Sequence, residues 1–371
     1  MYIWERPEWP HFRWDGAALG DLLITASHKQ GHLLGRMKGL GFDLKQRALV
    51  ETLTEEVLKT SEIEGEMLNR KSVRSSLARR FGVADGALVG TDVRTEGVVE
   101  MMLDATQRHD ADLTVERLHA WQAALFPTGR SSLRWIRTGA WRDDAHGPMQ
   151  VVSGAIGRER VHYEGPPAAQ VAEDMRQFLE WFERKAPQNL LRAGLAHFWF
   201  VMIHPYDDGN GRVARAIADQ ALAQLEGSGQ RFYSMSSQIR KERSDYYGVL
   251  EASGKGSLDV TGWLSWFLGC FSRAIDGADE TCRQVLAKAR FWQEHQAATL
   301  SERQKLLLNR YLDGFEGKLT TRKWAVIGKC SLPSAQRDIN DLIERGVLKK
   351  NEAGGRSTSY QVVMAQGAAG A

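Results

Sequence analysis

Nine consecutive residues, His204 to Arg212, bring together residue types that could handle a phosphate-bearing ligand. His204 has the side chain that most often serves as a general base near neutral pH. Asp208 supplies a hard oxygen of the kind that Mg²⁺ prefers when phosphates also hold the ion. The turn at Gly209 to Gly211 tolerates the left-handed backbone in which successive N–H groups point toward one anion. The stretch therefore predicts a base, a metal-binding carboxylate and a phosphate cradle in one loop.

Two arginines accompany this loop. Arg212 and Arg215 are three residues apart, so they share a helix face and can both neutralise phosphate charge. The alternative is a turn that is rich in Gly, Asn and Asp for conformational reasons alone, with a solvated histidine and surface arginines. Such a turn does not require these residue types in a fixed register, so the complete pattern favours a functional site.

Helices on either side must position the loop. Residues 188–203 are apolar at helical spacing, and residues 213–225 resume that pattern. The second half of the stretch therefore opens a helix. An anion would lie at the N-terminus of that helix.

The sequence HPYDDGNGR, taken with Arg215, resembles the signature of the Fic family, H-x-F-x-[D/E]-G-N-[G/K]-R-x-x-R, at nearly every position. Tyr206 replaces the commoner phenylalanine, and its ring can still anchor the loop in the core if its hydroxyl finds a partner or water. The resemblance implies that His204 takes a proton from a target hydroxyl and that Asp208 holds Mg²⁺. It assigns the binding of nucleotide phosphates to Gly209, Asn210, Gly211, Arg212 and Arg215.

The reaction that this resemblance implies is transfer of AMP from ATP to a Ser, Thr or Tyr of a target protein. Gly211 agrees with it, because a lysine at that position marks the kinase-like branch of the family. In-line transfer at phosphorus requires mostly positioning and charge neutralisation from the protein, together with one base. No second catalytic residue is needed.

A second motif lies far upstream. The stretch from Thr60 to Gly65 fits [S/T]-x-x-x-E-[G/N], the inhibitory-helix motif of Fic proteins. By this resemblance Glu64 pairs with Arg215, takes the place of the γ-phosphate and restrains the enzyme. Thr60 and Glu64 are four residues apart and are expected on one helix face. One alternative is a solvated glutamate in an acidic helix, and another is that Glu64 positions a water that removes AMP from the target.

Other segments are expected to face the substrates. A β-hairpin is predicted at Gly147 to Tyr163, and it resembles the family's flap, which docks a target segment as an added strand. Its alternative is an ordinary surface hairpin. Tyr246 and Tyr247 lie in a segment that resembles the lining of the nucleotide base, although core packing of at least one ring is an equal alternative. The flap residues proposed to dock the target are Met149, Gln150, Val151 and Val152.

The chain as a whole is predicted to be mainly α, with three regions. Residues 1–105 form a helical N-terminal domain with the inhibitory helix, residues 106–285 a helical Fic core with the flap, and residues 290–371 a winged helix-turn-helix domain. Gln336 and Arg337 stand where recognition helices contact base edges, so DNA is a possible partner. The alternative use of such a domain is packing or protein contacts. A DNA-binding regulator with a nucleotide-sensing core is therefore the rival function.

Composition sets the remaining limits. The chain has 371 residues, 43% of them hydrophobic, and a net charge of +3. No apolar run reaches membrane-spanning length and no signal pattern opens the sequence, which predicts a soluble cytoplasmic protein without membrane contact. The three cysteines show no paired spacing, which favours neither a disulfide framework nor a zinc site. A homodimer that buries the inhibitory helix is possible by analogy alone.

Overall fold

Helices form nearly all of the regular structure in the computed structural model, so the prediction of a mainly α chain is confirmed. The structure describes residues 1–39, 42–83, 89–132, 134–145, 147–154, 158, 160–186, 189–295, 300–312, 317–351 and 358–363. The helices are a 3₁₀ turn at Ile3–Glu5, α1 (Gly16–Lys38), α2 (Phe42–Ile63), α3 (Arg70–Phe81), α4 (Val93–Gln107), α5 (Val115–Leu125), α6 (Ala168–Glu183), α7 (Leu190–Ile203), α8 (Asn210–Glu226), α9 (Met235–Lys241), α10 (Arg243–Gly254), α11 (Thr261–Glu294), α12 (Glu302–Leu312), α13 (Thr321–Ile327) and α14 (Leu332–Glu344). The strands are β1 (Arg130–Ser131), β2 (Arg134–Trp135), β3 (Gln150–Ser153), β4 (Arg160–Glu164), β5 (Leu348–Lys350) and β6 (Tyr360–Val362), which pair antiparallel as β1–β2, β3–β4 and β5–β6.

Helix α7 is the central helix of the first of two compact units, Met1–Asp279 and Glu280–Ala371. All but one of its residues are buried, as expected for a helix that is apolar on every side. Gly194 lets α11 approach closely: Trp263 Nε1 donates to the Gly194 carbonyl at 2.8 Å, and a Cβ there would lie 2.9 Å from the Phe267 ring. This close packing fixes α7 in the core.

Helix α2 ends at a glycine, and this moves Glu64 off the helix. The Gly65 N–H donates to the Glu62 carbonyl (3.1 Å) and the Glu66 N–H to the Ser61 carbonyl (3.0 Å), while Gly65 has φ +84°. These bonds form a Schellman C-cap, in which the left-handed residue stops the helix. Glu64 was expected on the same helix face as Thr60. It is the cap residue just beyond Ile63, and its side chain still bonds to the same arginine, Arg215, as the Thr60 hydroxyl.

The flap hairpin forms as β3 paired with β4. Val151 lies opposite Tyr163, and the register shifts between Val151 and Val152. Met149 precedes the strand, although its carbonyl still accepts a hydrogen bond from the Gly165 N–H at 2.9 Å. The Tyr163 hydroxyl donates to the Met202 carbonyl at 2.6 Å, which ties β4 to α7 two residues before His204. The predicted turn residues 155–157 lie outside the described residues.

In its described residues, the second unit contains the end of α11 and the helices α12 to α14, followed by the β5–β6 pair. Trp324, Ile339 and Leu342 are fully buried in its separate hydrophobic core. This order of elements is the one expected of a winged helix, and the assignment to that class stays a prediction. None of the helices in the described parts of the chain is long and apolar enough to cross a bilayer.

Candidate active site

His204 ends α7 and begins the loop. Its Nδ1 lies 3.1 Å from the carbonyl oxygen of Val201. Because a carbonyl only accepts, Nδ1 carries the proton of the neutral ring and Nε2 keeps a free lone pair. Burial lowers the pKa of His204 to about 4, and the nearby Arg142 acts in the same direction. The imidazole is therefore neutral at pH 7, in the form that can accept a proton.

Arg142 braces the start of the loop from a distant part of the chain. Its Nε donates to the His204 carbonyl at 2.8 Å, and its backbone N–H donates to the Pro205 carbonyl at 2.9 Å. The side chain is buried, and it also bonds to the Pro166 carbonyl. No local sequence pattern points to this arginine, because its partners lie far along the chain.

The middle of the loop is anchored in the core. Tyr206 is fully buried, and its hydroxyl lies 3.1 Å from His119 Nδ1, so the expected partner is found. Asn210 closes the loop on itself: Oδ1 accepts from the Tyr206 N–H (2.9 Å) and Nδ2 donates to the Tyr206 carbonyl (2.7 Å). The Asn210 side chain thus stabilises the loop and leaves its backbone N–H for an anion.

Replacing Tyr206 by phenylalanine should therefore be mild. The ring keeps its packing, and only the hydrogen bond to the half-buried His119 is lost, which water can replace. We expect the free energy of unfolding to fall by about 0.5–1.5 kcal/mol, measured by urea denaturation. A loss of more than roughly 3 kcal/mol would mean that the hydroxyl has another role in holding the loop.

Asp208 carries one of the loop's two half-buried carboxylates. One oxygen accepts from the Gly209 N–H at 2.6 Å, and the other contacts the Ser131 hydroxyl, a neighbour that the sequence did not predict. Asp207, by contrast, accepts from the Arg137 N–H at 2.9 Å and serves the loop's backbone. Among the described residues no group of three or more His, Cys, Asp or Glu could hold a metal by itself. A single carboxylate completed by phosphates and water fits Mg²⁺.

The glycines bring the helix N-terminus into close contact with its surroundings. Gly209 has φ +91°, and a Cβ there would lie 3.0 Å from the Phe126 ring. Gly211 is the second residue of α8, and a Cβ there would lie 2.2 Å from the Oε1 atom of Glu64. The segment that carries Glu64 therefore occupies the space in front of the first turn of α8.

This contact predicts a strong coupling between Gly211 and Glu64. We expect Gly211→Ala to force the Glu64 carboxylate away from Arg215 and to lower the free energy of unfolding by about 1–3 kcal/mol. In a Glu64→Gly background the obstacle is absent, and the cost should disappear. Urea denaturation across the double-mutant cycle measures the coupling. An equal cost in both backgrounds would contradict the contact.

Glu64 and Arg215 meet as predicted, although they are 151 positions apart. The Nη2 atom of Arg215 donates to Glu64 Oε1 at 2.7 Å and to the Thr60 carbonyl at 2.9 Å. Its Nε atom donates to the Thr60 hydroxyl at 2.7 Å. The Arg215 side chain is 2% exposed, and its Nη1 atom has no hydrogen-bond partner among the described residues. Burial opposes its charge, but the Glu64 carboxylate outweighs this and raises the pKa of Arg215.

Arg212 has an acidic partner that the sequence did not predict. The Nη1 atom of Arg212 donates to Glu66 Oε2 at 2.6 Å, and the guanidinium lies 4.9 Å from the centre of the Phe126 ring. Glu66 lies just beyond the [S/T]-x-x-x-E-[G/N] motif. Nothing in its local sequence distinguishes it from the many other glutamates of this region.

The two tyrosines of the expected base-binding segment differ in exposure. Tyr246 is 2% exposed, and its hydroxyl lies 2.9 Å from Nε2 of the buried His197. Tyr247 is 38% exposed, with Arg243 over its ring. Of the two, Tyr247 alone presents surface to a ligand, and base binding by either stays a prediction.

The two residues predicted to contact DNA, Gln336 and Arg337, differ in their surroundings. Gln336 accepts from the Thr321 hydroxyl and donates to Asn340, both at 2.9 Å, so its polar atoms already have partners. Arg337 is exposed. Gly354 and Gly355, which the sequence predicts as the tip of a hairpin in this domain, lie outside the described residues. DNA binding stays a prediction.

Comparisons with known proteins agree with this geometry. The model of the Fic/DOC family matches residues 112–222, and that of a domain of unknown function, DUF4172, matches residues 2–83. Among curated relatives, "Protein adenylyltransferase Fic" of Nematostella vectensis is 32% identical over 115 residues, which is 30% of this chain and 25% of the relative. The protein of the same name from Drosophila mojavensis is 24% identical over 237 residues, which is 62% of this chain and 42% of the relative. The chain thus spans less than half the length of these relatives.

Solved structures show the same fold. A Fic family protein from Desulfovibrio desulfuricans G20 superposes with a TM-score of 0.54 at 20% identity, over 93% of this chain and 96% of that one. Residues 134–508 of Fic-1 from C. elegans superpose with a TM-score of 0.50 at 18% identity, over 72% and 74% of the two chains. The family match and the loop between α7 and α8 lead to one conclusion: residues 112–222 of the chain form a Fic/DOC family domain.

Proposed function

We propose that the chain is a protein adenylyltransferase, which transfers AMP from ATP to a hydroxyl side chain of a target protein. The observation that carries the proposal is the neutral His204, with Nε2 free, beside the N-terminus of α8. The names of the curated relatives support the same reaction.

His204 is the proposed base. The target hydroxyl oxygen attacks the α-phosphorus of ATP while its proton passes to Nε2 of His204. A bond forms between that oxygen and phosphorus, the bond from the α-phosphorus to the bridging oxygen breaks, and pyrophosphate leaves. Because Nδ1 is engaged with the Val201 carbonyl, the ring is already oriented and in the required tautomer.

Charge on the phosphates is neutralised by the surrounding groups. The backbone N–H groups of Asn210 and Gly211 and the guanidinium groups of Arg212 and Arg215 are the proposed phosphate contacts. Gly209 was expected to share in this role, but its N–H is bonded to Asp208, so it is proposed to shape the turn. Asp208 would hold Mg²⁺, which when bound neutralises further phosphate charge. Such positioning and electrostatic stabilisation are what phosphoryl transfer requires of a protein.

Glu64 is the proposed restraint. It holds Arg215 at 2.7 Å and lies against the backbone of Gly211, so a phosphate that needs either group must displace it. The side chain of Glu64 is 30% exposed, which leaves it a path outward. Activity would therefore depend on whether ATP or Glu64 occupies Arg215.

The target segment is proposed to join the flap. Strand β3 is paired with β4 on one edge, and Val152 is 47% exposed. A peptide added to the free edge of β3 would gain main-chain hydrogen bonds that set its register. The anchor from Tyr163 to Met202 keeps that edge in a fixed position relative to His204.

The position of a radioactive label tests the reaction. Purified chain with Glu64→Gly and Mg²⁺ is incubated with a cell lysate and ATP labelled at either the α- or the γ-phosphate. Adenylyl transfer predicts protein-bound label from the α-position alone. Label from the γ-position would instead indicate a kinase, and no label from either position, with nucleotide binding intact, would contradict the proposed activity.

A further inference from the structure

Both arginines of the proposed phosphate site are bonded to carboxylates from one short segment. Arg215 is bonded to Glu64 and Arg212 to Glu66. The Arg212–Glu66 pair is partly withdrawn from water, since the side chains are 5% and 27% exposed. An ion pair in such a setting is screened less by solvent than a surface pair.

Among the described residues, Glu66 provides the hydrogen-bond acceptor for the Arg212 guanidinium. The buried Nε atom of Arg212 has no partner among them, and Phe126 contacts the group through its ring face. A phosphate that binds the Nη1 atom of Arg212 must therefore displace Glu66 or bind the same guanidinium together with Glu66. Because both are anions, sharing brings like charges together and weakens binding.

The two carboxylates are linked through the backbone. Glu64 is the C-cap of α2, and Glu66 is the residue whose N–H closes the Schellman motif on Ser61 at 3.0 Å. The motif fixes the residues on both sides of Gly65. In this geometry the Glu64 carboxylate lies beside Arg215 and the Glu66 carboxylate lies beside Arg212.

We propose that Glu66 is a second restraining carboxylate, which competes with nucleotide phosphate for Arg212 and lowers nucleotide affinity independently of Glu64. This inference rests on the proposed function, in which Arg212 binds phosphate. Removing the negative charge of Glu66 frees Arg212 and also removes repulsion of the incoming phosphates. Glutamine keeps the size of the side chain and so isolates the charge.

The test is a binding measurement on the full chain. The Kd of α,β-methylene-ATP with Mg²⁺ is determined by calorimetry for the unaltered chain, Glu66→Gln and Glu55→Gln. Glu55, on α2, pairs with Arg70 outside the site and is the matched control. We expect Glu66→Gln to lower Kd roughly five- to tenfold and Glu55→Gln to leave it unchanged.

An unchanged or raised Kd for Glu66→Gln would overturn the inference, because Glu66 would then be neutral or would support Arg212 in the bound state. The analogue is not cleaved, so the result does not depend on transfer activity. If Glu64→Gly transfers AMP while Glu66→Gln leaves Kd unchanged, the inference fails alone. If no variant binds the analogue, both the inference and the proposed function fail. Glu66→Ala provides a second variant if the glutamine protein does not fold.

Discussion

Replacing Glu64 by glycine is expected to raise the rate of AMP transfer roughly 10- to 1,000-fold, since releasing a partly buried carboxylate from Arg215 is worth about 1.4–4 kcal/mol. In the structure this carboxylate bonds to Arg215 at 2.7 Å and fills the space against Gly211. Its removal gives phosphate access to both groups without altering the loop that carries His204. The measurement is the initial rate of incorporation from α-labelled ATP into lysate protein or the chain itself.

The control is Glu55→Gln, which alters the charge of α2 away from the arginines and should leave the rate unchanged. An equal rate for Glu64→Gly and the unaltered chain would contradict the proposed restraint. Loss of AMP removal from modified target, without any gain in transfer, would assign Glu64 to the reverse reaction.

Replacing His204 by alanine is expected to reduce transfer by about 10²–10⁴, the usual contribution of a general base. The free Nε2 atom has no substitute in the loop, because Asp207 is bonded to the Arg137 backbone and Asp208 to Gly209 and Ser131. The change is made in the Glu64→Gly background, where transfer is measurable.

Measuring the nucleotide affinity of the His204→Ala variant shows whether transfer is lost through a slower chemical step or through weaker nucleotide binding. The proposed phosphate contacts are untouched by His204→Ala, so the Kd of α,β-methylene-ATP should stay within a few-fold. A fall in transfer that follows a matching fall in affinity would mean that His204 acts mainly in holding the loop. Full transfer by the alanine variant would exclude it as the base.

The parts of the site that could be predicted from sequence are those that are contiguous in the chain. His204, Asp208 and the glycines lie within one loop, and the apolar pattern on each side identifies the flanking helices. The pairing of Glu64 with Arg215 spans 151 positions, and it was predictable only because both residues fit motifs of one family.

Other features depend on packing that leaves no local pattern. Arg142 and Ser131 reach the loop from separate segments, and Glu66 looks like any other glutamate near α2. The burial of Tyr246 is set by His197 and the tryptophans of α11 rather than by its own neighbours in sequence. Gly65 was part of the motif, yet its role in ending α2 and placing Glu64 at the cap appears only in the backbone geometry.

The most direct test of adenylyl transfer by His204 is the mass of an acceptor protein after incubation with unlabelled ATP and Mg²⁺. Labelled peptides from the Glu64→Gly reaction first identify the acceptor, which is then treated with Glu64→Gly or with Glu64→Gly/His204→Ala. We expect the first protein to add the mass of one AMP to a hydroxyl side chain and the second to leave the acceptor unmodified. Addition of a phosphate instead, or equal modification by both proteins, would contradict this expectation.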